Sequence, residues 1–176
     1  MKKKLKLICL VSIFLFAGKN LHAQSEVEER VRIGLGFGLD YGGLGAKMEF
    51  LPIKHWGIFG GLGYNFLSVG WNVGTTIKML PDKRVSPNLM AFYGYNGVIK
   101  VEGASFYNAI SYGVTLGANF DIAISNAGHK ISVGLFAPIR SDEFMNKYND
   151  MKRSSFVSVR SELLPIAISI GFNYKY

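Results

Sequence analysis

Hydrophobic and polar positions alternate with a period of two along most of the chain, the spacing at which successive side chains of a β-strand face opposite ways. The carboxy-terminal stretch is the clearest case. Ile166, Ile168, Ile170, Phe172, Tyr174 and Tyr176 share one face, and Ala167, Ser169, Gly171, Asn173 and Lys175 share the other. Toward the amino end, Val31, Ile33, Leu35, Phe37, Leu39 and Tyr41 alternate with Arg32, Gly34, Gly36, Gly38 and Asp40. Comparable segments at 44–53, 57–67, 69–79, 89–98, 109–122 and 130–140 bring the predicted total to eight strands. No long stretch has the helical period, so the expected fold class is all-β, with one short helix over 142–152.

The predicted connections alternate in character. Those at 40–45, 66–68, 97–107 and 141–165 include the two longest, whereas 52–56, 81–87 and 125–128 are short and marked by Pro, Gly or Asn. The stretch 154–161 (SSFVSVRS) reads as an extension of the last strand. Most segments are near the ~9 to 11 residues that cross a bilayer at a tilt. In bacterial outer-membrane barrels the periplasmic turns are short and the outer loops longer. That pattern would put both ends of the barrel chain in the periplasm.

Side-chain size indicates which face turns inward. Trp71, Val73, Ile77 and Met79 oppose Ser68, Gly70, Asn72, Gly74 and Thr76. Likewise Tyr112, Val114, Leu116, Phe120 and Ile122 oppose Ser111, Gly113, Thr115, Gly117 and Asn119. A barrel of eight strands has room inside only for its own side chains, so the small face is expected to line the lumen. Arg32, Asp40, Lys47, Glu49, Lys78, Asp121, Lys130, Arg140 and Lys175 all fall on that small face. An Arg or Lys facing hydrocarbon at mid-bilayer costs ~2 to 4 kcal/mol, so an apolar exterior free of charge fits a membrane. Tyr41, Trp56, Tyr64, Phe66, Trp71, Tyr93, Tyr95, Tyr174 and Tyr176 lie mostly near strand ends, as interfacial girdles require. A soluble lipocalin-like barrel, with the apolar face inside, is the competing reading. The expected architecture is an eight-stranded antiparallel up-and-down transmembrane β-barrel with a polar, glycine-rich lumen. Because unpaired buried charges are costly, Arg32, Glu49, Lys78, Asp121 and Lys175 are expected to form an ion-pair network across it.

Composition adds a compartment. The formal net charge is +8, but Lys2, Lys3, Lys4, Lys6 and Lys19 all precede Gln24, and beyond that point 15 basic residues face 12 acidic ones. So modest a surplus argues against a nucleic-acid partner. The basic start MKKKLK, the apolar run 7–18 and Leu-His-Ala before Gln24 have the three parts of a secretory signal, and the run is shorter than the ~20 residues a spanning helix needs. The expected division is a signal peptide over 1–23, a periplasmic lead-in over 24–30 and a barrel domain over 31–176. The sole cysteine, Cys9, would leave with the signal.

Candidate chemistry is sparse. The glycine clusters at 34–38 and 57–63 do not match phosphate-binding templates. His55 and His129 are expected in exposed turns, without the convergent ligands a metal needs. No cofactor, metal or catalytic residue is therefore expected. An enzyme acting on outer-leaflet lipid would need a nucleophile and a base at the outer rim, the end opposite both histidines.

The signal segment, the eight alternating segments and the terminal strand IAISIGFNYKY, which ends on an aromatic, resemble the OmpA/OmpX-like families of small outer-membrane β-barrels. The resemblance implies that the barrel-assembly machinery reads the last strand through Phe172, Tyr174 and Tyr176. The expected function is a non-enzymatic structural or surface-interaction role through outer loops 97–107 and 141–165. There Phe106, Tyr107, Phe144, Tyr148, Arg153, Phe156 and Arg160 would meet lipopolysaccharide, glycan or protein. A narrow channel for small solutes is the alternative.

Overall fold

Alternating β-branched, aromatic and small residues favour extended backbone when one face can be buried, and the eight segments all form strands. The computed structural model describes residues 30–101, 105–124, 128–153 and 163–175. The strands are β1 (Val31–Gly38), β2 (Gly43–Ile53), β3 (Trp56–Tyr64), β4 (Val69–Lys78), β5 (Val85–Ile99), β6 (Ala109–Ala123), β7 (Lys130–Pro138) and β8 (Ala167–Lys175). Each pairs antiparallel with the next, and β1 pairs with β8 from Arg32↔Lys175 to Phe37↔Ile170, which closes the barrel. Closure leaves no sheet edge along the paired register. The expected signal, all of the lead-in except Arg30, the stretch 154–161, and Phe156, Arg160 and Tyr176 lie outside the described residues.

The expected orientation of the two faces holds. Leu35, Leu62, Val73, Leu116, Leu135 and Ile168 point outward, with Leu35 and Ile168 65% and 67% exposed. In the strands, Arg32, Lys47, Glu49, Lys78, Asp121 and Lys130 are all buried inside. The exterior is thus apolar and the charge is internal, the inverse of a soluble barrel.

Several boundaries differ from the sequence reading, β3 for one ending at Tyr64 rather than at 67. β1 stops at Gly38 instead of running through Tyr41, and Leu39–Tyr41 form a 3-10 turn whose three residues are buried. Gly38, Gly42 and Gly43 take φ values of 145°, 72° and 113°, conformations that let the chain reverse sharply. Tyr41, expected in an outer girdle, is instead wholly inside. Tyr95 is also internal, because Gly94 (φ 147°) and a bulge between Tyr95 and Gly97 break the alternation of β5. Finally, β5 begins at Val85 and extends to Ile99, so 85–87 and 97–99 belong to the strand rather than to its flanking connections.

β5 and β6 outreach their neighbours, since β4 pairs with β5 only up to Asn72↔Gly94 while β5–β6 pairing continues to Ile99↔Ala109. The expected short helix forms as α1 (Asp142–Arg153). Ser141 Oγ accepts from Phe144 N at 3.3 Å at its start. Asp142 and Glu143 in the first turn and Lys152 and Arg153 in the last match the helix dipole. Phe144, Tyr148 and Met151 recur on one helical face and pack against Ile99.

Candidate functional site: the filled interior of the barrel

The start of β1 and the ends of the even-numbered strands mark one mouth of the barrel, and the internal charges gather near it. Arg32 lies at the start of β1, Glu49 near the end of β2, Lys78 at the end of β4 and Asp121 near the end of β6. Across the lumen, Arg32 Nη1 is 3.1 Å from Asp121 and 3.7 Å from Glu49, while Lys78 Nζ is 2.9 Å from Glu49 and 3.4 Å from Asp121. Two cations are thus interleaved with two carboxylates, as expected from their shared face. The side chain of Lys175, the fifth expected member, lies outside the described residues; its backbone pairs with Arg32.

Asp121 is the hub. It accepts from Arg32, Lys78, Ser132 and Asn119, which fills the lone-pair capacity of an ionised carboxylate. Asn88 Nδ2 donates to Asn119 Oδ1 at 2.8 Å and Asn173 donates to Ser132, extending the network around the wall. Such saturation makes a buried ion pair tolerable, because the desolvation of each charge is offset by several partners.

A second pair, Lys47 with Asp40, lies deeper and was not foreseen as part of the network. Asp40 reaches it only because the 39–42 turn folds into the barrel. Lys47 Nζ also lies 4.4 Å from the centre of the Tyr41 ring and 5.7 Å from that of Phe59. Asn72 Nδ2 donates to Leu39 O from the opposite wall.

The glycines explain how the turn fits. A Cβ at Gly36 or Gly171 would lie 2.8 or 2.9 Å from Tyr41 Cε2, and one at Gly34 would lie 3.3 Å from Cε1, so three bare positions on β1 and β8 cradle the ring. Gly45, Gly61, Gly63 and Gly70 similarly leave room for the backbone of 40–42. The other half of this layer is filled from the wall by Phe59, Met90, Phe92 and Phe136, which join Leu39 and Tyr95 in one apolar cluster. Phe92 packs edge-on to Phe59 and Phe136, with ring centres 5.7 and 5.2 Å apart. Phe59 shares the inward parity of Gly57 and Gly61 on β3, Met90 and Phe92 that of Asn88 on β5, and Phe136 that of Ser132 on β7, so strict counting along each strand would have found them. No local signal would have found Tyr41.

Between the charged and apolar layers is a cavity of about 10 Å³ bounded by Lys47, Glu49, Lys78, Asn119, Asp121 and Asn173. A space of that size and polarity suits about one water molecule.

At the far mouth, Arg140 ties the long β7–β8 connection together. Its Nη1 donates to Leu164 O at 2.7 Å and its Nε to Asn96 O at 3.4 Å. Burial lowers the Arg140 guanidinium from its ordinary value, while Tyr95 acts in the opposite sense. Phe144 and Tyr148, expected as outer contacts, are buried in the α1 cluster, because the helix turns its apolar side toward β5. Phe106 is 72% exposed and Arg153 is exposed, so these two remain available at this end, whereas Tyr107, with its ring centre 4.1 Å from that of Phe106, is half-buried against the α1 cluster.

At the terminal end, Phe172 and Tyr174 face outward, and His129 stacks on Tyr174 at 4.6 Å. His129 is therefore half-buried rather than an exposed turn residue, whereas His55 is exposed and contacts Lys78 O at 2.9 Å. No group of His, Cys, Asp and Glu suited to a metal occurs among the described residues. No protein-family model, curated protein or solved structure matches the chain.

Proposed function

We propose that this chain is an integral outer-membrane β-barrel of the OmpA/OmpX-like kind, non-enzymatic, with a filled lumen and a structural or surface-interaction role. One observation carries the reading: a closed sheet whose outward face is apolar on every strand and whose charged side chains turn to the axis. In water, so continuous an apolar exterior would far exceed the patches soluble monomers tolerate. In hydrocarbon it is the favoured surface, and the closed hydrogen-bond ladder meets the demand that every backbone group be paired.

In this reading the termini are periplasmic, delivered by the amino-terminal signal, and Phe172, Tyr174 and Tyr176 present the terminal strand to the barrel-assembly machinery. The end bearing α1 and the β5–β6 projection faces outward. There Phe106, backed by the half-buried Tyr107, and Arg153 offer an aromatic and a basic surface to lipopolysaccharide, glycan or protein. The layered interior favours a closed barrel over an open channel.

The two tryptophans supply the test, since Trp56 and Trp71 both point outward. In vesicles of brominated lipid their fluorescence is expected to be strongly quenched relative to ordinary lipid. The folded protein should also migrate differently on electrophoresis before and after boiling. Unquenched tryptophans together with recovery in the soluble periplasmic fraction would refute the assignment.

A further inference from the structure

We propose that the in-turned 39–42 segment is a displaceable plug, and that its withdrawal converts the barrel into an anion-preferring pore. The inference rests on the membrane reading above. Leu39 packs into the apolar cluster, and beside it the Tyr41 ring fills a space walled by Gly34, Gly36 and Gly171, which supply no side chain to close that side in its absence. Below the layer, the lumen is lined by charged and amide groups, which hydrate readily. A hydrophobic constriction above a polar path is the arrangement by which pores close through dewetting.

The plug is a separable unit. It contributes no strand, enters and leaves through Gly38 and Gly42, and is held from the wall by two side chains, Lys47 on Asp40 and Asn72 on Leu39 O. Tyr41 Oη and Asp40 Oδ1 are buried without a hydrogen-bond partner, so the seated state leaves polar groups that solvent would satisfy. Withdrawal takes the Asp40 carboxylate with it. Arg32, Lys47 and Lys78 then face Glu49 and Asp121, which favours anions in the vacated path.

Planar-bilayer recording in a potassium chloride gradient tests this with wild type, Lys47→Met, Asp40→Asn and the surface control Lys54→Met. Wild type and the control are expected to stay mostly closed. The two latch variants should show at least a tenfold rise in open time, and Asp40→Asn, which keeps all three cations, a reversal potential displaced toward that of chloride. Latch variants that insert and keep heat-modifiable mobility yet are as silent as wild type, or an Asp40→Asn pore that prefers cations, overturn the plug alone. Should a latch variant lose that mobility, Tyr41→Ala decides, because it keeps Lys47 on Asp40 while emptying the cradle: raised conductance supports the plug and unchanged conductance overturns it. A wild-type chain that neither inserts nor shows heat-modifiable mobility fails the membrane reading, and the plug falls with it.

Discussion

The seat of Tyr41 gives the sharpest quantitative prediction. At Gly171 the three atoms nearest an added Cβ all belong to the Tyr41 side chain, with Cε2 at 2.9 Å. Gly171→Ala therefore forces the ring to shift within a layer that is already packed, and overpacking of this kind costs about 1 to 3 kcal/mol. At Gly60, on the outward face, the nearest atom to an added Cβ is Asn72 O at 3.9 Å. Gly60→Ala should be neutral or stabilising by up to about 1 kcal/mol, since alanine loses less chain entropy than glycine in a strand. In a Tyr41→Ala background the obstruction at Gly171 is gone, and Gly171→Ala should behave like Gly60→Ala. The coupling between positions 171 and 41 is thus expected to be about 1 to 3 kcal/mol in a double-mutant cycle. Urea unfolding of the vesicle-inserted protein, followed by the fluorescence of Trp56 and Trp71, supplies the midpoints. An equal penalty for Gly171→Ala in both backgrounds would show that the ring does not occupy the cradle.

Three further outcomes follow from the same geometry. Asp121→Ala leaves Arg32 and Lys78 to share the Glu49 carboxylate inside the barrel and should cost about 3 to 5 kcal/mol; loss of the exposed Lys54–Asp82 pair, 3.7 Å apart, in Lys54→Ala should cost about 0 to 1 kcal/mol by the same unfolding assay. Leu116→Arg, on the outward face of β6, should lower stability in bilayers by about 2 to 4 kcal/mol; a change within about 0.5 kcal/mol, usual for a water-facing surface, would contradict the lipid-facing assignment. Arg140→Ala removes the bonds to Leu164 O and Asn96 O, so limited proteolysis should cut within 141–165 faster while the barrel fragment keeps its heat-modifiable mobility.

Alternation along the chain determined the eight strands, their antiparallel order and the inward placement of Arg32, Glu49, Lys78 and Asp121, because the two-residue period of a strand is local and a short connection leaves few ways to pair. Phe59, Met90, Phe92 and Phe136 were not singled out, although they stand at the inward positions of their strands, because the small residues beside them disguised how much volume they fill. Which charge meets which was decided only by closure, since β1, β2, β4 and β6 bring those four residues within reach solely when the sheet curls round. The path of 39–42 was decided by tertiary structure as well. Leu39 and Tyr41 continue the outward pattern of β1, yet the glycine wall leaves a half-empty interior, and burying a tyrosine ring there outweighs one more step of strand.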